Sequence, residues 1–172
     1  MFTLPLRIAI VVASASYGVY ELLHGDQLGY LWLAAAVFFV VGYFRYGPIR
    51  PAFKALQRGQ FKRAERLVAT VKFPNLLSGQ FRAYFHWIHG VLAAQDDNNF
   101  VLAEEQMRLA IDGALRTSND RCLATAALAQ IFAQSDDSER AKQLLADAEQ
   151  IPHKDSTSTY LKKLKLEFEK VE

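Results

Sequence analysis

Apolar residues are distributed differently in the first quarter of the chain and in the rest. Two apolar runs, 6–23 and 28–44, are separated by the short polar stretch 24–27. From Pro48 onward, apolar residues recur at intervals of three and four, the spacing of one face of an α-helix. Gly47 and Pro48 end the second run, because proline cannot continue a helix. The pattern predicts an all-α protein with two domains, 1–46 and 47–172.

The two apolar runs predict a transmembrane helical hairpin over 1–46. The run 28–44 contains 17 residues and no charge, and as a helix it would be about 26 Å long, close to the hydrocarbon thickness of a bilayer. Ser14 and Gly18 in the first run are small enough to let two helices approach closely. The alternatives are a buried helix of a globular core and, for the first run, a cleaved signal peptide.

Charge is concentrated directly after the second run. Between Arg45 and Lys72 lie eight basic residues and one acid, Glu65. The positive-inside rule then predicts an integral membrane protein with two transmembrane helices and both termini in the cytoplasm. Basic residues near a bilayer attract anionic lipid headgroups, and RNA phosphates are the weaker alternative. The residues expected to contact headgroups are Arg45, Arg50, Lys54, Arg58, Lys62, Arg63 and Arg66.

The second domain contains an internal repeat. The segments GQFKRAERLVATV (59–71), NNFVLAEEQMRLA (98–110) and DDSERAKQLLADA (136–148) align, with alanines at Ala64, Ala103 and Ala141. In each segment, residues four and seven positions after the alanine are apolar. A single helix pair cannot bury its apolar face, so stacked pairs are expected to share one core. Each segment opens with a turn-forming residue, and paired aspartates such as Asp136 and Asp137 are expected to cap the following helix.

These segments resemble the tetratricopeptide repeat. Gly59, Phe61 and Ala64 match the family's order of a turn, an aromatic residue and a small residue that is buried where two helices touch, and Trp87 stands where the family's first helix carries a tryptophan. The spacing of 39 and 38 residues is longer than the family's. The resemblance implies an α-solenoid of about three helix pairs, and 156–172 reads as a C-terminal capping helix. A hairpin ahead of such repeats is also similar in layout to bacterial haem-synthesis-associated membrane proteins, and this likeness implies a location in a bacterial inner membrane.

The resemblance also implies a partner-binding groove along the first helix of each pair. An apolar groove predicts an amphipathic helix as the ligand, either from a protein partner such as another membrane protein or from the chain's own segment 156–172. The groove positions are Phe53, Leu56, Phe85, Ile88, Leu92 and Gln130. The expected function is a membrane-anchored scaffold or adaptor for protein–protein interactions, and the alternative is a small accessory subunit of a larger membrane complex.

The sequence contains few candidate residues for catalysis or for binding a cofactor. His86 and His89 are three residues apart on one helical face and are the only candidate ligands for a metal or haem. No phosphate-binding or nucleophile motif is present, so the sequence predicts a non-enzyme without cofactors. Nucleic-acid binding is not expected. Cys122 is the only cysteine, which excludes an intramolecular disulfide.

Overall fold

The protein is all-α, as the sequence predicts. The computed structural model describes residues 4–96 and 99–170, which form nine α-helices and one short 3₁₀-helix, Pro74–Leu76, without a strand. The chain divides into two compact units, Met1–Gly47 and Pro48–Glu172. The α-helices are α1 (Leu4–Leu23), α2 (Gly29–Tyr46), α3 (Ile49–Gln57), α4 (Phe61–Ala69), α5 (Gly79–Asp96), α6 (Phe100–Ile111), α7 (Ser118–Gln134), α8 (Ser138–Gln150) and α9 (Asp155–Lys170).

The first unit is a helical hairpin formed by α1 and α2. Gly25 adopts a positive φ of 81° in the turn between them, a conformation that glycine adopts without steric cost. Ser14 and Gly18 are buried, and Gly18 lies against Gly29 so closely that a Cβ on Gly29 would be 2.5 Å from the Gly18 carbonyl oxygen. Small residues therefore set the closest approach of the two helices.

The prediction of two transmembrane helices is wrong. Among the residues that the structure describes, no helix is long and apolar enough to cross a membrane. This finding contradicts the expectation of an integral protein of a bacterial inner membrane with two spanning helices and cytoplasmic termini. Charged residues limit both helices, because Arg7 and Glu21 lie inside α1 and Arg45 lies in the last turn of α2. The uncharged stretch of each helix is shorter than the roughly 20 apolar residues of a typical spanning helix.

The second unit has two layers of helices. Helices α3, α5, α7 and α9 pack side by side in chain order, and α4, α6 and α8 each pack between two successive members of that layer. One apolar core extends over α3 to α8, and a second core joins α7, α8 and α9. Each helix therefore contacts its near neighbours in sequence, which is compatible with a helical-repeat arrangement.

The aligned segments occupy equivalent places in the second layer. They form the starts of α4, α6 and α8, whose first residues are Phe61, Phe100 and Ser138. Gly59 and Asp136 stand at the same repeat position and have φ values of 69° and 62°. An aspartate in this left-handed conformation is uncommon, so the turn itself is repeated. The third equivalent position, Asn98, lies outside the described residues, as do Asp97 and the side chain of Asp96.

Alanines lie at the helix contacts that the alignment predicts. Ala64, Ala103 and Ala141 are all buried, as are Val68, Met107 and Leu145 four positions later. At Gly90 of α5, a Cβ would lie 3.1 Å from the Ala103 carbonyl oxygen. The backbones of α5 and α6 are therefore in close contact, and this is why small residues occupy both sides.

The C-terminal helix α9 covers the end of the second unit. It begins at Asp155, earlier than the Ser158 or Thr159 start that the sequence suggests. Leu161 and Leu164 are buried against α7 and α8, and Phe168 is half-buried beside them. The apolar spacing in 156–172 thus forms the expected packing face, except that Val171 lies outside the described residues.

Candidate functional site

An aromatic cluster joins the first two helix pairs of the second unit. The ring centroid of Phe53 lies 4.9 Å from that of Tyr84 and 4.8 Å from that of Trp87, both in edge-to-face geometry. Aromatic pairs at these distances stabilise packing beyond their buried area. Phe53 itself is half-buried, and so is Leu56 one turn later on α3. We call the surface formed by Phe53 and Leu56 the α3 face.

Tyr84 connects this cluster to α7. Its hydroxyl donates a hydrogen bond to the Asp120 carboxylate at 2.6 Å. Burial, followed by this hydrogen bond to Asp120, raises the pKa of Tyr84 above its ordinary value. Asp120 is placed in the first turn of α7, where its backbone N–H donates to the Thr117 hydroxyl. The Thr-x-x-Asp pattern at 117–120 is a local signal for the start of α7, but no local pattern identifies the tyrosine across the interface.

The six predicted groove residues do not form one open surface. Ile88 has no exposed area, and Phe85 and Leu92 are buried in the core. Phe53 and Leu56 remain half-exposed on the α3 face. Gln130 accepts a hydrogen bond from the Tyr160 hydroxyl of α9 at 3.0 Å. The chain's own C-terminal helix thus occupies the Gln130 end, which was one of the two expected occupants.

Further polar contacts hold α9 in this position. The Asn119 side-chain oxygen accepts from the Lys154 backbone N–H at 3.0 Å and from the Thr157 hydroxyl at 2.8 Å. Thr157 is buried. A buried hydroxyl needs such a partner, so Asn119 ties the start of α9 to the start of α7.

The histidine pair lies between α5 and α6. His86 Nδ1 donates to the Gln106 side-chain oxygen at 2.7 Å. His89 lies 4.4 Å from the Phe85 ring centroid, and burial, with a smaller effect of His86, lowers its pKa. Within 4–96 and 99–170 no three His, Cys, Asp or Glu residues are grouped as metal ligands would be. His86 is thus hydrogen-bonded to α6, and His89 packs against the Phe85 ring of its own helix.

All seven basic residues that were predicted to contact lipid headgroups are exposed. Arg50 and Lys54 are four residues apart on α3, Arg58 follows four residues later as the C-cap of that helix, and Lys62 and Arg66 are four residues apart on α4. Arg50 also lies over the Phe81 ring, 5.4 Å from its centroid. Arg45 belongs to the first unit and the other six to the second.

Cys122 and Asp137 have structural roles, the first in packing and the second in helix capping. Cys122 is buried, its thiol donates to the Ala148 carbonyl at 3.3 Å, and burial raises the pKa of the thiol. Asp137 accepts from the Arg140 backbone N–H and caps α8, as its place in the repeat predicts. A cleft of about 300 Å³ between α8 and α9, which the sequence did not predict, is lined by Lys142, Leu145, Ala146, Glu149, Lys165 and Phe168.

The surface of the first unit is apolar on several sides. Tyr30, Leu31 and Phe38 of α2 are between 66% and 76% exposed, and Ile8 and Val12 of α1 are more than half exposed. Proteins rarely leave a large apolar patch uncovered. The hairpin therefore presents exposed apolar side chains from both of its helices.

Comparison with known proteins assigns this chain to no family. No family model matches it, and neither characterised proteins nor solved structures show significant similarity to it.

Proposed function

We propose that this protein is a scaffold or adaptor, in which a tetratricopeptide-like α-solenoid binds a partner protein. The observation that carries this proposal is the repeated helix pair, with a positive-φ turn at Gly59 and Asp136 and a buried alanine at Ala64, Ala103 and Ala141. Stacked helix pairs of this kind present extended surfaces for protein binding. The proposed role is therefore binding rather than catalysis.

The α3 face is the proposed docking surface. Phe53 and Leu56 are half-exposed, and the buried rings of Tyr84 and Trp87 pack against Phe53. Helix α9 bonds to Gln130 on α7, so the other end of this layer has its own covering helix. An apolar surface on one side of a helix pair suits the apolar face of an amphipathic helix, and we propose such a helix as the partner element.

A substitution on each layer tests this assignment. Leu56→Glu places a charge on the α3 face, and Leu102→Glu makes the same change on the exposed side of α6. The tagged full-length protein is crosslinked in its native cells, and proteins that co-purify are identified by mass spectrometry. The expected result is a partner that is retained by wild type and Leu102→Glu and lost by Leu56→Glu.

The melting temperature of each variant shows whether a loss of binding is due to a changed surface or to unfolding. Leu56 packs against the core, so Leu56→Met, which keeps the apolar side chain, should restore binding if the loss is due to the surface. Retention of the partner by Leu56→Glu at an unchanged melting temperature would place the docking surface elsewhere. Equal loss from both glutamate variants would show that the α3 face has no special role.

A second candidate is an accessory subunit of a larger assembly, and the exposed apolar side chains of the hairpin favour it. An uncovered apolar hairpin can pack against other subunits. Native sizing separates the candidates: an adaptor migrates near monomer or dimer mass when its partner dissociates, whereas a subunit co-migrates with a large assembly.

A further inference from the structure

The helix pair α3–α4 carries a basic face that consists of Arg50, Lys54, Arg58, Lys62, Arg63 and Arg66, all of them exposed. The apolar sides of both helices point into the core, through Ile49, Ala52 and Ala55 on α3 and through Ala64 and Val68 on α4. The charged sides are thus fixed outward by the same packing that forms the unit. The positive surface is a consequence of the fold and does not depend on a flexible tail.

These charges have no acidic partner among the described residues. Arg63 donates to the Gln60 side chain and Arg66 to the Lys62 carbonyl, and neither acceptor is anionic. No ion pair found in the described parts of the chain includes a member of the basic face. Like charges four residues apart destabilise a helix. The stripes on α3 and α4 therefore cost stability unless an external anion neutralises them.

Two kinds of polyanion could fit, and the preceding unit distinguishes them. Nucleic acid offers phosphates but no apolar layer. A lipid surface offers both, and α2, which ends only two residues before α3 begins, exposes large apolar and aromatic side chains such as Tyr30, Trp32 and Tyr46. Aromatic rings of this type favour the boundary between headgroups and hydrocarbon. The chain therefore exposes both kinds of side chain that an anionic lipid surface attracts, basic ones and apolar aromatic ones.

We propose that the basic face of α3–α4 binds the phosphate headgroups of an anionic lipid surface. The contact is peripheral and electrostatic, made by arginine and lysine side chains outside the hydrocarbon layer. It is independent of the adaptor role and of the partner that the α3 face would bind.

The test uses the full-length protein and vesicle flotation. Vesicles of phosphatidylcholine alone are compared with vesicles in which part of the lipid is phosphatidylglycerol. Wild type should prefer the anionic vesicles, and added salt should reduce that preference. The triple variant Lys54→Gln, Arg58→Gln, Lys62→Gln should bind the anionic vesicles about a hundredfold more weakly, since each base near the surface contributes roughly a factor of five.

A matched control separates the basic face from net charge. The triple variant Arg121→Gln, Lys162→Gln, Lys163→Gln removes the same charge from exposed positions on α7 and α9, and it should bind within a few-fold of wild type. Single substitutions at Lys54 and Lys62 should each lower binding several-fold, which keeps the test valid if the triple variant does not fold.

Three results would overturn the proposal. Equal binding of wild type to both kinds of vesicle would remove the role of anionic headgroups. Equal losses in the two triple variants would show a dependence on net charge alone. Displacement of the protein from vesicles by single-stranded RNA at matched phosphate concentration would assign the basic face to nucleic acid.

Discussion

Ala103→Leu tests the register of the repeat at its most crowded contact. Ala103 has no exposed area, and its carbonyl oxygen would be 3.1 Å from a Cβ placed on Gly90 of the facing helix. A Cβ at Gly90 would also lie 2.7 Å from Met107 Cγ. The three additional carbon atoms of leucine have no free volume between these backbones, so α5 and α6 must separate or adopt strained rotamers. Overpacking of this kind costs about 1–3 kcal/mol.

The assay is thermal unfolding of the full-length protein, followed by circular dichroism. For a unit of this size a loss of 1 kcal/mol lowers the melting temperature by roughly 4 °C, so we expect Ala103→Leu to melt about 4–12 °C below wild type. Ala146→Leu is the matched control, because Ala146 is exposed on α8 and should tolerate leucine. An unchanged melting temperature for Ala103→Leu, or an equal fall in both variants, would refute the proposed packing.

Three further substitutions test the hairpin, the capping helix and the histidine pair. Gly29→Ala would place a methyl group 2.5 Å from the Gly18 carbonyl oxygen and should speed amide exchange in α1 and α2, whereas Gly42→Ala, with nothing within 4 Å, should not. Asn119→Ala removes the acceptor of two hydrogen bonds and should lower the free energy of unfolding by about 1–3 kcal/mol. Relative to wild type, amide exchange should increase more in α9 than in α7, and an equal increase in both helices would contradict this. The pKa of His89 is lowered in the folded state, so the unfolded chain binds the proton more tightly and stability should fall as the pH drops through about 6.5. Denaturation midpoints of His89→Gln should show less of this pH dependence than those of wild type, and an identical pH profile would show that His89 does not contribute to it.

Local patterns account for most of what the sequence predicted correctly. Apolar spacing predicted the all-α class, and the aligned segments predicted that Ala64, Ala103 and Ala141 would be buried. These features depend on residues close together in the chain, where helical periodicity is informative. The cap at Asp137 followed in the same way from its place before α8.

The errors concern contacts between distant residues and the surroundings of helices. The repeat alignment predicted that Phe85 and Leu92 would line an open groove. Helix α5 instead packs against helices on several sides, and both side chains are buried. The hydrogen bond from Tyr84 to Asp120 joins residues 36 apart, and no local pattern indicates such a pair. The apolar runs indicated membrane-spanning helices because their mean apolarity outweighed the charged residues that lie inside α1 and α2.

Site-specific photocrosslinking tests the central claim, that the α3 face is a protein-binding surface on a repeat scaffold. A benzophenone amino acid is introduced at Leu56 on the half-exposed α3 face, or at Ala146 on the exposed side of α8, and cells that produce the full-length protein are irradiated. The account predicts a discrete adduct with one other protein from position 56, and none from position 146. Adducts of equal yield from both positions, or no adduct from position 56, would contradict it.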